Sequence, residues 1–207
     1  MDIIDRKAHW NEIYKTKNTE QVSWYQAVPV TSLNFVKQYN LPMSARIIDI
    51  GGGDSFFVDH LLDLGYRDIT VLDISENAIG KAKQRLGEQA NKVQWIIADA
   101  VEFNPLEKYD VWHDRAAFHF LTDDKDIEKY IEIVSSNIFP AGYLVIGTFS
   151  DKGPEKCSGL NIKQYSEGTM TELLKVHFEK RECTQIDHQT PSGSIQHFIF
   201  CSFRRKR

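Results

Sequence analysis

From residue 46 onward, short apolar runs ending in Gly or Asp alternate with segments of helical periodicity, and this alternation narrows the possible folds more than any other feature. Arg46-Ile47-Ile48-Asp49-Ile50 is the first run and ends in glycines. A helix is expected from about Ser55 to Leu64, closed by Gly65. Ile69-Thr70-Val71-Leu72 is the second strand. Ser75 can cap a helix with Ala78, Ile79, Ala82 and Leu86 on its apolar face and Gly87 at its end. Val93–Ala98 and Tyr109–His113 read as the third and fourth strands. A helix with Ile127, Tyr130, Ile131, Val134 and Ile138 on one face follows, and Pro140-Ala141-Gly142 turns the chain into a strand over Tyr143–Phe149. A further helix is expected from Thr169 to His177. Two β-rich runs, about 179–187 and 195–203, flank the turn Pro191-Ser192-Gly193 and read as an antiparallel hairpin. The expectation is an α/β fold, doubly wound around a mostly parallel sheet, with right-handed crossovers. Ligands in such sheets bind beyond the carboxyl ends of the strands.

Residues 1–45 read as a helical cap on the same domain, which occupies 46–207. Ala8, Ile13 and Tyr14 have helical spacing, and a second helix is expected from a Thr31/Ser32 cap to just before Pro42. At 207 residues the chain suits one such domain. No apolar run approaches the roughly 20 residues of a membrane span. Met1-Asp2-Ile3-Ile4-Asp5 is acidic where a secretory leader carries base. A cytoplasmic protein is expected. The net charge of −4 offers no general attraction to nucleic acid, and the basic tail Arg204–Arg207 reads as a solvated chain end. Cys157, Cys183 and Cys201 lie far apart without a C-x-x-C pair, so neither a zinc site nor a disulfide framework is expected. No metal site is expected.

Asp49-Ile50-Gly51-Gly52-Gly53-Asp54-Ser55-Phe56 is the strongest local signal. Glycines there let the backbone turn sharply and approach a ligand. The dinucleotide pattern G-x-G-x-x-G fails, because Phe56 stands at its sixth position. Asp73 ends the second strand 22 positions after Gly51, close to the spacing of a ribose-binding acid. It suits either two ribose hydroxyls or the cap of the helix near Ser75. Asp99 follows the third strand and suits an adenine edge or a turn before Pro105.

Asp49, Gly51-x-Gly53, Asp73 and Asp99 at successive strand ends resemble the class I S-adenosylmethionine-dependent methyltransferases over residues 46–150. The seven-stranded sheet with a C-terminal hairpin is that family's arrangement, and Ser55 departs from a common third glycine. The resemblance implies S-adenosylmethionine as cofactor. It implies a binding set of Trp10, Trp24, Asp49, Gly51, Gly52, Gly53, Ser55, Asp73, Ile74, Asp99, Ala100 and Asp114.

The segment after the fourth strand, His113-Asp114-Arg115-Ala116-Ala117-Phe118-His119-Phe120, faces the transferable methyl in this fold. It lacks an Asn-Pro-Pro-Tyr signature, which ranks DNA bases and glutamine amides low as acceptors. Asp114-Arg115, with Trp10 and Trp24-Tyr25 upstream, resembles the thiopurine and thiol methyltransferase branch; an Asp-Lys pair occurs in some protein-lysine enzymes. Asp114, Arg115 and His119 are the catalytic candidates. Arg115 suits an anionic substrate group or a salt bridge with Asp114 or a neighbouring acid. His119 suits proton acceptance or a packed structural role. Trp10, Tyr14, Trp24 and Tyr25 form an aromatic cap that suits closure over the cleft or simple packing on the sheet, and the loop 151–160 suits a substrate lid. The expected activity is methyl transfer to a small molecule, with a thiol or carboxylate among the candidate acceptors. The alternatives are a protein-lysine methyltransferase and a non-catalytic nucleotide-binding module.

Overall fold

The structure, a computed structural model, describes residues 5–207; Met1–Ile4, on which part of the leader-peptide expectation rests, lie outside the described residues. The chain opens with α1 (Arg6–Thr16) and α2 (Val30–Gln38). Then β1 (Arg46–Ile50), α3 (Phe57–Asp63), β2 (Asp68–Asp73), α4 (Glu76–Leu86), β3 (Val93–Ile97) and β4 (Tyr109–Arg115) follow. The rest comprises α5 (Asp124–Asn137), β5 (Ile138–Phe149), the two-residue strands β6 (Lys156–Cys157) and β7 (Leu160–Asn161), α6 (Glu167–Leu174), β8 (Phe178–Gln189) and β9 (Ile195–Arg205).

The main sheet has seven strands in the order β3-β2-β1-β4-β5-β9-β8. The first five are parallel, and β9 runs antiparallel to both β5 and β8. Strand order reverses between β1 and β4, and a crevice opens at such a reversal.

Side-chain alternation gives both faces a core. Ile48 and Ile50 of β1 and Trp112 of β4 pack with Tyr130 and Val134 of α5. Ile47, Val71 and Val111 point the other way, onto Leu33 and Val36 of α2 and Phe57 and Leu61 of α3. A sheet covered on both faces explains why its strands read as unbroken apolar runs. α4 matches its expected boundaries: Ser75 accepts from Ala78 N–H and Gly87 ends it at φ +56°.

Four expectations need adjustment. α2 begins at Val30 after Pro29, leaving Ser32 inside the helix, where its hydroxyl meets β4 instead of capping. The bounds of two helices differ, since α3 is shorter than expected and α6 begins and ends earlier. β5 starts at Ile138 and runs through Pro140–Gly142, with Ala141 at φ +68° and a shift in the pairing with β4. The fourth concerns cysteine.

Cys183 and Cys201 face each other across β8 and β9 and are joined by a disulfide. This corrects the expectation that no disulfide forms. The two stand 18 positions apart, too far for a local Cys pattern. Folding the hairpin about its turn closes that separation, since each lies nine positions from Ser192 at the turn's centre. Cys157 is free and buried. Among the described residues no helix is long and apolar enough to cross a membrane, and no group of three His, Cys, Asp or Glu is placed to hold a metal.

Candidate active site

The glycine loop leaves β1 with Gly51 at φ +63°, a conformation glycine adopts without steric cost. The loop is pressed onto two acids. A Cβ on Gly52 would overlap the Asp49 carboxylate, and one on Gly53 would overlap that of Asp73.

Asp49 is 2% exposed. Its Oδ1 lies 2.6 Å from His113 Nδ1, and His113 Nε2 lies 2.8 Å from Ser32 Oγ. The register of β1 and β4 sets Asp49 beside His113, and α2 supplies the serine. Asp49 Oδ2 is buried without a partner.

Asp73 ends β2 and accepts a 2.7 Å bond from Ser75 N–H. Burial pushes its carboxyl up to about 7; the Ser75 and Gly53 amides oppose the shift, and the charges of Asp49 and Asp54 add to it. It therefore steadies the start of α4 while its carboxylate still lines the cleft. Asp99 accepts from Val101 N–H at 3.1 Å. Arg6 of α1 bridges Asp99 at 3.2 Å and Asp126 at 3.1 Å.

Asp114 is fully buried at the end of β4. Oδ1 accepts from the Ala117 and Phe118 amides, and Oδ2 accepts from Tyr130 OH at 2.6 Å. Burial raises its carboxyl to about 6, opposed first by the Tyr130 hydrogen bond. Arg115 points elsewhere, as the next residue of a strand must. Its Nη1 donates to Trp24 O at 3.0 Å, and among the described residues it forms no ion pair. Desolvation lowers its pKa. Of the two readings for Arg115, the salt bridge with Asp114 is absent among the described residues.

His119 as a proton acceptor is corrected. The side chain is fully buried, Nδ1 accepts from Phe149 N–H at 3.2 Å, and burial lowers its pKa to about 3. It does not line the cleft and packs against Phe120 and Phe149.

These strand ends surround an open cleft, placed where ligands bind in such sheets. Gly51, Asp73, Ile74, Asp99 and Ala100 line one half. Asp114 and Arg115 stand at the reversal, and Trp10 and Trp24 close over the top. Trp10 packs edge-on against Trp24 and Phe120, at centroid distances of 5.8 and 4.9 Å. Asn11 ties α1 to the start of α4, accepting from Ser75 OH at 2.9 Å. Asp49, Gly52, Gly53 and Ser55 stand behind the lining, and Ser55 accepts from Phe57 N–H at the start of α3.

Several lining residues went unread in the sequence. Arg6 is a single polar position on a helix of weak pattern, and Tyr130 looked like ordinary core. Phe149, Gln196 and Phe198 lie on β5 and β9, where they read as ordinary strand residues.

A family model described as a methyltransferase domain matches residues 47–142. Residues 47–142 form a methyltransferase domain. The methyltransferase domain runs from β1 into β5 and contains the glycine loop, Asp73, Asp99, Asp114 and Arg115. The whole chain has the class I S-adenosylmethionine-dependent methyltransferase fold. It superposes on the N-methyltransferase NodS of Bradyrhizobium japonicum in complex with S-adenosyl-l-homocysteine with a TM-score of 0.74 at 20% identity, covering 98% of this chain and 100% of that one. For the 1,6-didemethyltoxoflavin-N1-methyltransferase of Burkholderia thailandensis the TM-score is 0.71 at 18% identity, over 100% and 86% of the two chains. In sequence, the chain is 33% identical over 107 residues to a malonyl-[acyl-carrier protein] O-methyltransferase of Anoxybacillus flavithermus, covering 51% of this chain and 39% of that protein. It spans about two fifths of the length of the first curated relatives it matches.

Proposed function

We propose that the protein transfers a methyl group from S-adenosylmethionine to a small-molecule acceptor. One observation carries this reading: in a methyltransferase domain, the buried Asp73 carboxylate lines a cleft where sheet order reverses, with Asp99 on the next strand end. The residues fit the cofactor. Asp73 offers an acceptor-only group for paired ribose hydroxyls, Asp99 and Ala100 offer polar edges for a base, and Asp49 Oδ2 backs the glycine loop without a partner.

When bound, the cofactor supplies a sulfonium methyl that is already electrophilic. The chain's task is to hold the acceptor in line and exclude water, effects worth about 7–11 kcal/mol at best. Residues 1–45 act as a cap, with Trp10 and Trp24 shielding the cleft. Asp114 fixes the turn 117–120, and Arg115 holds an anionic acceptor group. A small-molecule acceptor is supported by relatives whose names specify acyl-carrier malonyl and toxoflavin-type substrates. A cytoplasmic location belongs to the same proposal.

Calorimetry tests the cofactor: S-adenosylmethionine is expected to bind and NAD is not, and the reverse result defeats the reading. Labelled cofactor is then incubated with a metabolite extract or with denatured lysate. Label in the metabolite fraction is expected. Label confined to protein would favour lysine methylation, a reading supported by 27% identity over 121 residues to the eEF1A lysine and N-terminal methyltransferase homolog of Drosophila melanogaster. Tight binding with no label in either would favour a non-catalytic module.

A further inference from the structure

The wall of the cleft facing away from Asp73 and Asp99 is built outside the methyltransferase domain, by the C-terminal hairpin. β9 enters it with a period of two, so Phe200, Phe198 and Gln196 share one face. Phe200 and Phe198 are buried in a cluster with Phe149 and Cys157. Gln196 stands where that apolar stripe meets the cleft. A polar side chain has replaced the next hydrophobe.

The Gln196 Oε1 atom is shut off from solvent and has no hydrogen-bond partner. Buried polar atoms are nearly always satisfied, so an unpartnered amide oxygen on a side chain that lines the cleft marks a place for a ligand donor, reached once that amide turns toward the cleft. Its neighbour across the hairpin, His188, is already engaged at both ring nitrogens. Nε2 lies 2.7 Å from Ser23 O and Nδ1 lies 3.3 Å from Gln26 Nε2. Those bonds seat the chain around Trp24 against the hairpin, and Trp24, Arg115 and Gln196 line the same cleft.

The surroundings are aromatic. Phe149 meets Phe198 edge-on at 4.7 Å, and Trp10, Trp24 and Phe120 close the other side. Such walls fit a flat apolar body. Arg115, with one backbone hydrogen bond and no ion pair among the described residues, supplies a cation to it.

We propose that Gln196 is a specificity-determining residue of the acceptor subsite, its amide oxygen taking an N–H or O–H donor of a flat aromatic acceptor whose anionic group lies against Arg115. This assignment rests on the methyltransferase reading, because the cofactor must fill the other half of the cleft. A site built to hydrogen-bond a substrate donor rejects an analogue that lacks it, since its own polar atom is then left unpaired.

Protein saturated with S-adenosylhomocysteine is titrated by calorimetry with indole-2-carboxylate, 1-methylindole-2-carboxylate and indole. The first probe carries both donor and anion; each of the others lacks one. Indole-2-carboxylate is expected to bind at least about tenfold more tightly than either, the value of one hydrogen bond. Gln196→Met keeps side-chain length and extends the apolar stripe. It is expected to bring the two indole acids within about twofold of each other while leaving S-adenosylhomocysteine affinity unchanged. Gln196→Leu serves as a second variant, and thermal melts check that both fold. Equal binding of the two indole acids by the unaltered protein, a preference that survives in a folded variant, or no binding of any probe overturns the assignment. Failure to bind S-adenosylhomocysteine itself overturns the methyltransferase reading and this assignment with it.

Discussion

At the scale of single residues, Asp73 carries the sharpest prediction. Its native pKa of about 7 lies above the ordinary aspartate value, so the folded protein binds an extra proton between about pH 4 and pH 7. The stability this group contributes is therefore present at low pH and lost as pH rises through 7. Ligand binding runs the opposite way, because ribose hydroxyls donate to the ionised carboxylate. S-adenosylhomocysteine affinity should rise about tenfold from pH 6 to pH 8, with proton release near neutrality. Calorimetry in buffers of different ionisation enthalpy measures both. A flat profile, or an Asp73→Ala variant with unchanged affinity, would exclude the ribose role. Asp114, at about 6, responds in the same direction at lower pH. The sequence placed both acids at strand ends because glycine loops and apolar runs are local patterns. It did not reveal that His119 is sealed, since burial of a histidine depends on Phe149 and Phe120 closing around it.

At the scale of elements, the β8–β9 hairpin was legible and its covalent tie was not. Alternation and a Pro-Ser-Gly turn announce a hairpin, whereas the disulfide depends on its register, which a single bulge between Lys180 and Glu182 also shifts. A cross-link closing a loop of this length stabilises by about 3 kcal/mol in the chain-entropy view. Alkylation of the denatured, unreduced protein should report one thiol, Cys157, and three after reduction. Reduction should also lower the melting temperature, by about 6–12 °C for a chain of this size. Three thiols before reduction would show that the bridge is open. α1 sits at the other extreme. Its pattern is too weak to read its contacts, yet Arg6 and Asn11 fasten it to Asp99, Asp126 and Ser75 from three other segments.

At the scale of the molecule, a cleft built from four strand ends and a separate cap couples ligand binding to the stability of the whole. S-adenosylhomocysteine at 100 times its dissociation constant should add about 2.7 kcal/mol. That corresponds to a melting shift of about 5–11 °C for a domain of this size, read by calorimetric melting. No shift at saturation would place the ligand elsewhere. The parallel sheet, though not its strand order, followed from alternation, and the strand ends that line one half of the cleft followed with it. The acceptor half did not, because Phe149, Gln196 and Phe198 become neighbours of Arg115 only once β9 inserts beside β5.

Ser32, His113 and Asp49 stand in the order and at the spacing of a hydrolase charge relay, with a serine oxygen, an imidazole and a carboxylate in line. Ser32 is 1% exposed on the inward face of α2, so no ester or peptide can reach its oxygen. What would be a nucleophile in an open groove serves here as a strut. It carries the seating of a surface helix through one imidazole to the backing of the glycine turn.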